Sequence, residues 1–131
     1  MKTELVLLAW SAALCAFLAV PYTVGLILER GLPALAGNRE NFAPPTGWKG
    51  RSLRAHRNMV ENLVPFAALV LVVVAMGRTS PTTALAAQLF FWSRLLHAVV
   101  YTAGIAWVRT LAYAGGVVAM ALLFLAAIGG A

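Results

Sequence analysis

Four long apolar stretches, separated by short polar or glycine- and proline-rich segments, dominate the pattern of the sequence. The first runs without a charge from Leu5 to Leu28, and a membrane-spanning helix needs ~20 such residues. We therefore predict a first helix over about residues 4–29. Because this run is too long for the apolar part of a signal peptide, we expect it to be retained as a span.

The rest of the pattern predicts three more helices, over about residues 51–77, 81–107 and 109–130. The uncharged part of the second helix, from Leu63 to Gly77, is too short to cross a membrane. This helix must therefore extend back through polar residues toward Arg51. Ser80 followed by Pro81 is typical of an N-cap and a first helical position, and it begins the third helix.

Composition indicates the solvent in which these helices fold. Hydrophobic residues make up 62% of the 131 residues and charged residues 11%. A soluble domain this small could not bury so much apolar surface, so we predict an all-α integral membrane protein, a single four-helix bundle over residues 1–131. The net charge of +6 would favour nucleic acid in a soluble protein, but here it indicates membrane topology and an anionic ligand or lipid.

Cysteine and histidine usage adds little chemistry. Cys15 is the single cysteine, so an intrachain disulfide is not possible, and it lies in an apolar run where it would pack as a small hydrophobic residue. Neither it nor the two histidines show the spacing of metal ligands, so no metal site is predicted.

Basic residues are concentrated on one side of the predicted spans. The side of the long first loop carries the larger group, which comprises Arg30, Arg39, Lys49, Arg51, Arg54 and Arg109. The opposite side carries Lys2 and Arg78. By the positive-inside rule we expect the long loop in the cytoplasm and both termini outside, in the inner membrane of a bacterium.

The start of the second helix carries a polar face. Arg54, Arg57, Asn58 and Glu61 are spaced i, i+3, i+4 and i+7, which places them on one side of a helix. Such a face could hold a zwitterionic ligand, with arginines for carboxylates and Glu61 for an ammonium group. The alternative is a basic cuff that binds lipid phosphates, although such a cuff needs neither the amide nor the carboxylate.

The third helix carries Arg94, His97 and Tyr101 on one face of an otherwise apolar span. An arginine at mid-membrane costs ~2.5–3.5 kcal/mol on insertion scales unless it faces protein or water, so it must point into the bundle or a subunit interface. The alternative is a buried ion pair between Arg94 and Glu61 that fixes helix packing.

The start of the fourth helix carries Arg109, Thr110 and Tyr113, which could simply anchor it at the membrane interface. Small residues along this helix, including Gly115 and Gly116, would allow close backbone approach. Because four thin helices cannot easily enclose a polar ligand, we expect another subunit to complete the pocket.

The segment from Arg51 to Phe66, RSLRAHRNMVENLVPF, resembles the helix-two signature of the MAPEG family, the membrane-associated proteins in eicosanoid and glutathione metabolism. The spacing of Arg94, His97 and Tyr101 is similar to the family's third-helix pattern. The segment from Arg109 to Tyr113 resembles the start of its fourth helix. The resemblance covers all four predicted spans in order.

This resemblance implies a homotrimer that binds glutathione between neighbouring subunits near the cytoplasmic side. Matched positions imply that Arg109 stabilises the thiolate with Thr110 beside it. They also imply that the ligand is held by a larger group, consisting of Arg54, Arg57, Asn58, Glu61, Arg94, His97 and Tyr101. His56 lies within the signature but faces differently from its neighbours.

The resemblance favours a glutathione-dependent transferase or peroxidase that acts on lipophilic electrophiles. The alternative is a non-enzymatic lipid-binding or scaffold protein on the same fold. A small multidrug exporter is a third hypothesis. Such a protein would need a carboxylate embedded in the first helix, and in this chain Glu4 and Glu29 lie only at the edges of that helix.

Overall fold

A computed structural model describes residues 2–39 and 42–129 of the chain. These residues form six α-helices: α1 (Thr3–Phe17), α2 (Ala19–Arg30), α3 (Leu32–Ala36), α4 (Gly47–Ala75), α5 (Pro81–Ala103) and α6 (Ala106–Ala127). Four helical stretches are long and apolar enough to cross a membrane, with α1 and α2 together forming the first at 28 residues. The prediction of an all-α membrane four-helix bundle is confirmed.

The first span is interrupted at Leu18, where α1 ends and α2 begins. Pro21 explains the position of this break, because its ring excludes the carbonyl of the residue four positions earlier, Phe17, and it cannot donate a backbone hydrogen bond. The sequence pattern treated residues 4–29 as one helix, so the break and the short helix α3 after Gly31 are features that hydrophobicity alone did not indicate.

The second span begins at Gly47, a few residues before the expected start at Arg51. Pro45 is the nearest proline before this helix, and no proline follows it until Pro65. The polar segment that precedes the apolar part of α4 is therefore helical throughout. Pro65 lies inside α4, yet the helix runs on to Ala75. As predicted, Ser80 is the N-cap of α5. Its hydroxyl oxygen accepts a hydrogen bond from the Thr83 backbone N–H, and the Thr83 hydroxyl oxygen accepts one from the Ser80 backbone N–H.

The third span ends at Ala103 rather than near residue 107 because Gly104 takes the left-handed conformation, with φ +85°, and closes the helix. The next helix therefore starts at Ala106 instead of 109, which places Arg109 within its first turn. The predicted end of this helix at residue 130 lies outside the described residues.

The apolar core lies between α4, α5 and α6, in the half of the bundle toward the α4–α5 turn. Phe66 and Phe90 stack at its centre with ring centroids 3.8 Å apart and planes at 7°. Val70 and Val73 extend this contact along α4, and small side chains such as Ala119 let α6 approach. The opposite half of the same three helices carries the polar side chains Asn58, Arg94 and His97.

Beside the polar residues, α5 and α6 pack tightly around Gly115. A Cβ added there would collide with the Ser93 hydroxyl oxygen and would lie 3.2 Å from Ser93 Cβ. These distances leave no space for a side chain, so the small-residue stripe expected from the sequence does mediate helix contact.

We expect Gly115→Ala to destabilise the protein by ~1–3 kcal/mol, because overpacking a tight contact forces neighbouring atoms to move. Thermal unfolding in detergent measures this. Ser93→Gly introduced together with Gly115→Ala should recover most of the loss, since it removes both colliding atoms. Ala114→Val, at an exposed neighbouring position, is the control. Equal effects of Gly115→Ala and Ala114→Val would contradict the steric explanation.

Candidate functional site

A cavity of about 310 Å³ opens where the polar ends of α4, α5 and α6 meet. Its lining comprises Asn58 from α4, His97 and Tyr101 from α5, and Arg109, Thr110 and Tyr113 from α6. Five of these six side chains belong to the set that the sequence singled out as candidate site residues. None of the six lining residues, all within the described part of the chain, is acidic.

Arg94 lies behind this cavity and is almost completely enclosed, with 1% of its surface exposed. Its Nη2 donates to Asn58 Oδ1 and lies 3.4 Å from His97 Nδ1. Its Nε is buried without a hydrogen-bond partner among the described residues. A Cβ on Gly116 would touch Arg94 Cδ at 3.4 Å, so the glycine leaves space for the arginine stem.

Asn58 links α4 to this arginine and is itself held in place. Its Oδ1 accepts from Asn62 Nδ2 at 3.3 Å, and the same Nδ2 also donates to the Asn58 backbone oxygen at 2.8 Å. The amide oxygen therefore lies between two donors. This fixes the side chain and presents the remaining polar groups of Asn58 to the cavity.

The ion pair between Arg94 and Glu61, one alternative from the sequence, does not form in the described structure. Arg94 contacts the neutral amide of Asn58, and Glu61 lies exposed on the outer side of α4. The ion pair found among residues 2–39 and 42–129 joins Lys49 to Glu29 at 2.9 Å. Among the residues that the structure describes, the buried guanidinium therefore has no carboxylate partner.

Arg109 lies over the Tyr101 ring, with its Cζ 4.8 Å from the ring centroid. Such stacking orients a guanidinium while leaving its N–H groups free to bind an anion. Because α5 stops before Gly104, α6 begins at Ala106. This start places Arg109 in the first turn of α6, next to Tyr101. Beside it, the Thr110 hydroxyl donates back to the Ala106 carbonyl at 3.3 Å.

Aromatic rings complete the walls of the cavity. The His97 ring centroid lies 5.4 Å from that of Tyr101 and 6.3 Å from that of Tyr113. Tyr113 also covers the buried arginine, with Arg94 Cζ 5.9 Å from its centroid. At the rim, Arg54 Nε donates to the Tyr101 hydroxyl at 3.3 Å.

Two candidate residues stay apart from the cavity. Arg57 and Glu61 share the helical face predicted from the sequence, but both side chains are exposed on the outer surface of α4. They do not line the cavity within one chain. Their polar groups project from a span whose remaining outer residues, such as Val64 and Leu71, are apolar.

The structure adds Tyr113 and Asn62 to the residues expected at the site. Tyr113 was interpreted as an interface anchor, although its spacing of four from Arg109 puts it on the same face of α6. Asn62 follows Glu61 and has no spacing signal relative to Arg94. His56 does face elsewhere: its Nδ1 shares a hydrogen bond of 3.0 Å with the Tyr22 hydroxyl and joins α2 to α4.

The chemistry available in the cavity is that of an anion site. Two guanidinium groups, Arg109 and Arg54, lie at its wall and rim, and a third cation, Arg94, lies behind it. Hydroxyl, amide and imidazole groups supply directed hydrogen bonds around them. In a low-dielectric surrounding, an unneutralised guanidinium attracts an anion strongly, so this end of the bundle is suited to a ligand with negative charge.

Comparison with known proteins identifies the family of the chain. A model of the MAPEG family matches residues 5–129, which is nearly the whole chain and includes α2 to α6 and all of α1 from Leu5 onward. No curated protein and no solved structure matches the chain. Since the match covers all four spans and every residue of the cavity, the chain belongs to the MAPEG family.

Proposed function

We propose that the protein is a glutathione-dependent transferase or peroxidase that acts on lipophilic electrophiles from within the membrane. The observation that carries the proposal is the cavity lined by Asn58, His97, Tyr101, Arg109, Thr110 and Tyr113. Membership of a family of glutathione and eicosanoid metabolism supports it.

The donor set around the cavity suits glutathione, which carries two carboxylates, one ammonium group and a thiol. Arg54 and Arg109 offer cations for the acidic groups at the rim and wall. The buried Nε of Arg94 has no partner among the described residues, so an anion nearby would offset the cost of enclosing that charge. Glu61 is the carboxylate available for the ammonium group.

When bound, glutathione would supply the thiol that attacks the electrophile as a thiolate. A free thiol has a pKa of ~8.5 and is mostly protonated at neutral pH, so the protein must favour the anion. Arg109 is the residue we assign to this task, because its guanidinium is held against Tyr101 with N–H groups free. Thr110 lies beside it, and its hydroxyl, which donates to the Ala106 carbonyl in the single chain, would turn toward the thiolate to donate a hydrogen bond when glutathione is bound.

The second substrate is expected to arrive laterally from the bilayer. The cavity is bounded on one side by Tyr113, which is 41% exposed, and the outer surface of α6 beyond it is apolar. A lipophilic molecule can therefore reach the cavity without crossing water, while glutathione enters from the aqueous side near Arg54. This arrangement supports substrates that partition into lipid.

A homotrimer would account for the exposed polar face of α4. Arg57 and Glu61 project outward from a spanning helix, and charged groups there are costly unless protein or water surrounds them. A neighbouring copy that covers this face would enclose the ligand between subunits. The basic residues on the same side support a cytoplasmic position of the long loop and the site, in a bacterial inner membrane.

Arg109→Ala should reduce turnover of a chlorodinitrobenzene-type electrophile by about 10²-fold, the cost of removing one charge-stabilising donor. The ultraviolet absorbance of the glutathione thiolate should fall with it, measured on protein purified in detergent. Arg78→Ala, at the opposite end of the bundle, is the control.

Turnover and thiolate absorbance unchanged in Arg109→Ala would contradict the thiolate assignment while leaving the family unaffected. Absence of glutathione binding to the wild-type protein would contradict the enzyme proposal as a whole. The non-enzymatic lipid-binding or scaffold alternative would then account for the fold.

Asn58→Asp should raise the unfolding temperature in the absence of ligand and lower glutathione affinity about tenfold or more. The new carboxylate would neutralise Arg94, and it would also repel the anionic groups that we expect there. Thermal unfolding and calorimetric titration measure the two effects. Asn58→Ala, which strands the buried guanidinium, should instead reduce stability by ~1.5–3 kcal/mol. Unchanged glutathione affinity in Asn58→Asp would place the ligand elsewhere.

Val64→Trp should weaken subunit association, because Val64 lies one turn from Glu61 on the exposed face of α4 and a larger side chain would block a neighbouring copy. Native mass spectrometry should show trimers for the wild type and smaller species for the variant, with glutathione binding lost in parallel. Leu85→Trp, at an equally exposed position on α5, should remain trimeric. A wild-type monomer that binds glutathione would contradict the trimer and leave the site assignment intact.

A further inference from the structure

A continuous apolar groove runs along the surface between α1 and α5. Three cavities lie along it, with volumes of about 490, 260 and 390 Å³. Leu14 and Phe17 line both the first and the second, and Trp10 and Phe91 line both the second and the third. The groove therefore extends over most of the length of both helices, from Trp48 at one end toward the start of α1.

The groove and the candidate site lie on opposite faces of α5. Leu95, Val99 and Thr102 line the groove and are spaced i, i+4 and i+7, which is one helical face. His97 and Tyr101 line the site cavity and lie on the other side of the helix. Since a helix with its side chains is ~10 Å across, a molecule in the groove cannot reach the site cavity.

The groove also differs from the surface that a second copy is expected to cover. Its walls come from α1, the start of α2 and α5, and α4 contributes Trp48 at the end. Because α4 packs against both α1 and α5, it lies behind the groove. The outward face of α4 that carries Arg57 and Glu61 points away from it. The groove therefore opens toward the hydrocarbon of the bilayer.

One end of the groove is basic. Arg51 Nε donates to the carbonyl oxygen of Thr102, a groove residue, at 3.0 Å. Lys49 Nζ lies 5.7 Å from the Trp48 ring that closes the groove, and it pairs with Glu29. Arg51 binds a neutral carbonyl, so its charge is not offset by that contact. Tryptophan beside cations is the arrangement that favours the headgroup level of a membrane.

We propose that this groove is a binding site for an anionic phospholipid, with one acyl chain along the apolar walls and the phosphate at Arg51, beside the Lys49–Glu29 ion pair. Length and apolar lining match an extended chain, and the basic end matches a negatively charged headgroup. The site is separate from the proposed glutathione site and does not depend on it.

Native mass spectrometry of the full chain in detergent tests the charge at the headgroup. Phosphatidylglycerol and phosphatidylcholine with the same acyl chains are the probes, and the first should be retained more strongly. Arg51→Gln should weaken phosphatidylglycerol binding about fivefold, the loss expected for one basic residue near the surface. Arg78→Gln is the matched control, because Arg78 Nη1 likewise donates to a helix-end carbonyl, that of Ala127, at 2.8 Å but at the opposite end.

Val99→Trp tests the groove itself, since Val99 is 59% exposed and a larger ring there fills the space without entering the core. It should abolish phosphatidylglycerol retention, while thermal unfolding and glutathione binding stay as in the wild type. Leu96→Trp, at a similarly exposed position of α5 outside the groove, should retain the lipid. Equal retention of both lipids by the wild type, or equal effects of the paired variants, would overturn the proposal.

Discussion

Enclosing the Arg94 guanidinium inside an apolar span is the constraint on which the polar half of this molecule depends. Arg94 is 1% exposed, and because no carboxylate among the described residues pairs with it, side chains of three helices accommodate it. Asn58 of α4 accepts its hydrogen bond, Gly116 of α6 makes room for its stem, and Tyr113 covers its head. Satisfying one buried cation thus fixes the relative position of α4, α5 and α6 at the cavity.

The sequence predicted those structural features that depend on a single local physical effect. Hydrophobic run length predicted the spans, and Ser80 before Pro81 predicted the cap of α5, because each is local. The break at Leu18 and the stop at Gly104 were missed, since a proline or glycine inside an apolar run can be tolerated or can end a helix. Whether such a residue is tolerated or ends the helix depends on its contacts with neighbouring helices, and these contacts cannot be read from the sequence.

The sequence predicted most of the residues that line the candidate cavity, but it did not predict which of them contact each other. Asn58 and Glu61 lie one turn apart on the same face, so spacing could not say which of them meets Arg94. Coulomb attraction favours the carboxylate, but helix rotation places the amide toward α5 and leaves Glu61 outside. Tyr113 was not predicted to line the cavity for a related reason. A tyrosine near an arginine at the end of a span is ordinary, and its position in the cavity wall depends on where α6 begins.

The neutral partner has a consequence for binding. An internal Arg94–Glu61 pair would have neutralised the cation and used the carboxylate, leaving the attraction for a charged ligand to Arg54 and Arg109. Pairing with Asn58 keeps the positive field at the cavity and leaves Glu61 available on the face where a neighbouring copy is expected. Among the described residues, Arg94 and Glu61 thus have no partner of opposite charge at this end of the bundle, at a cost in stability that a zwitterionic ligand can offset.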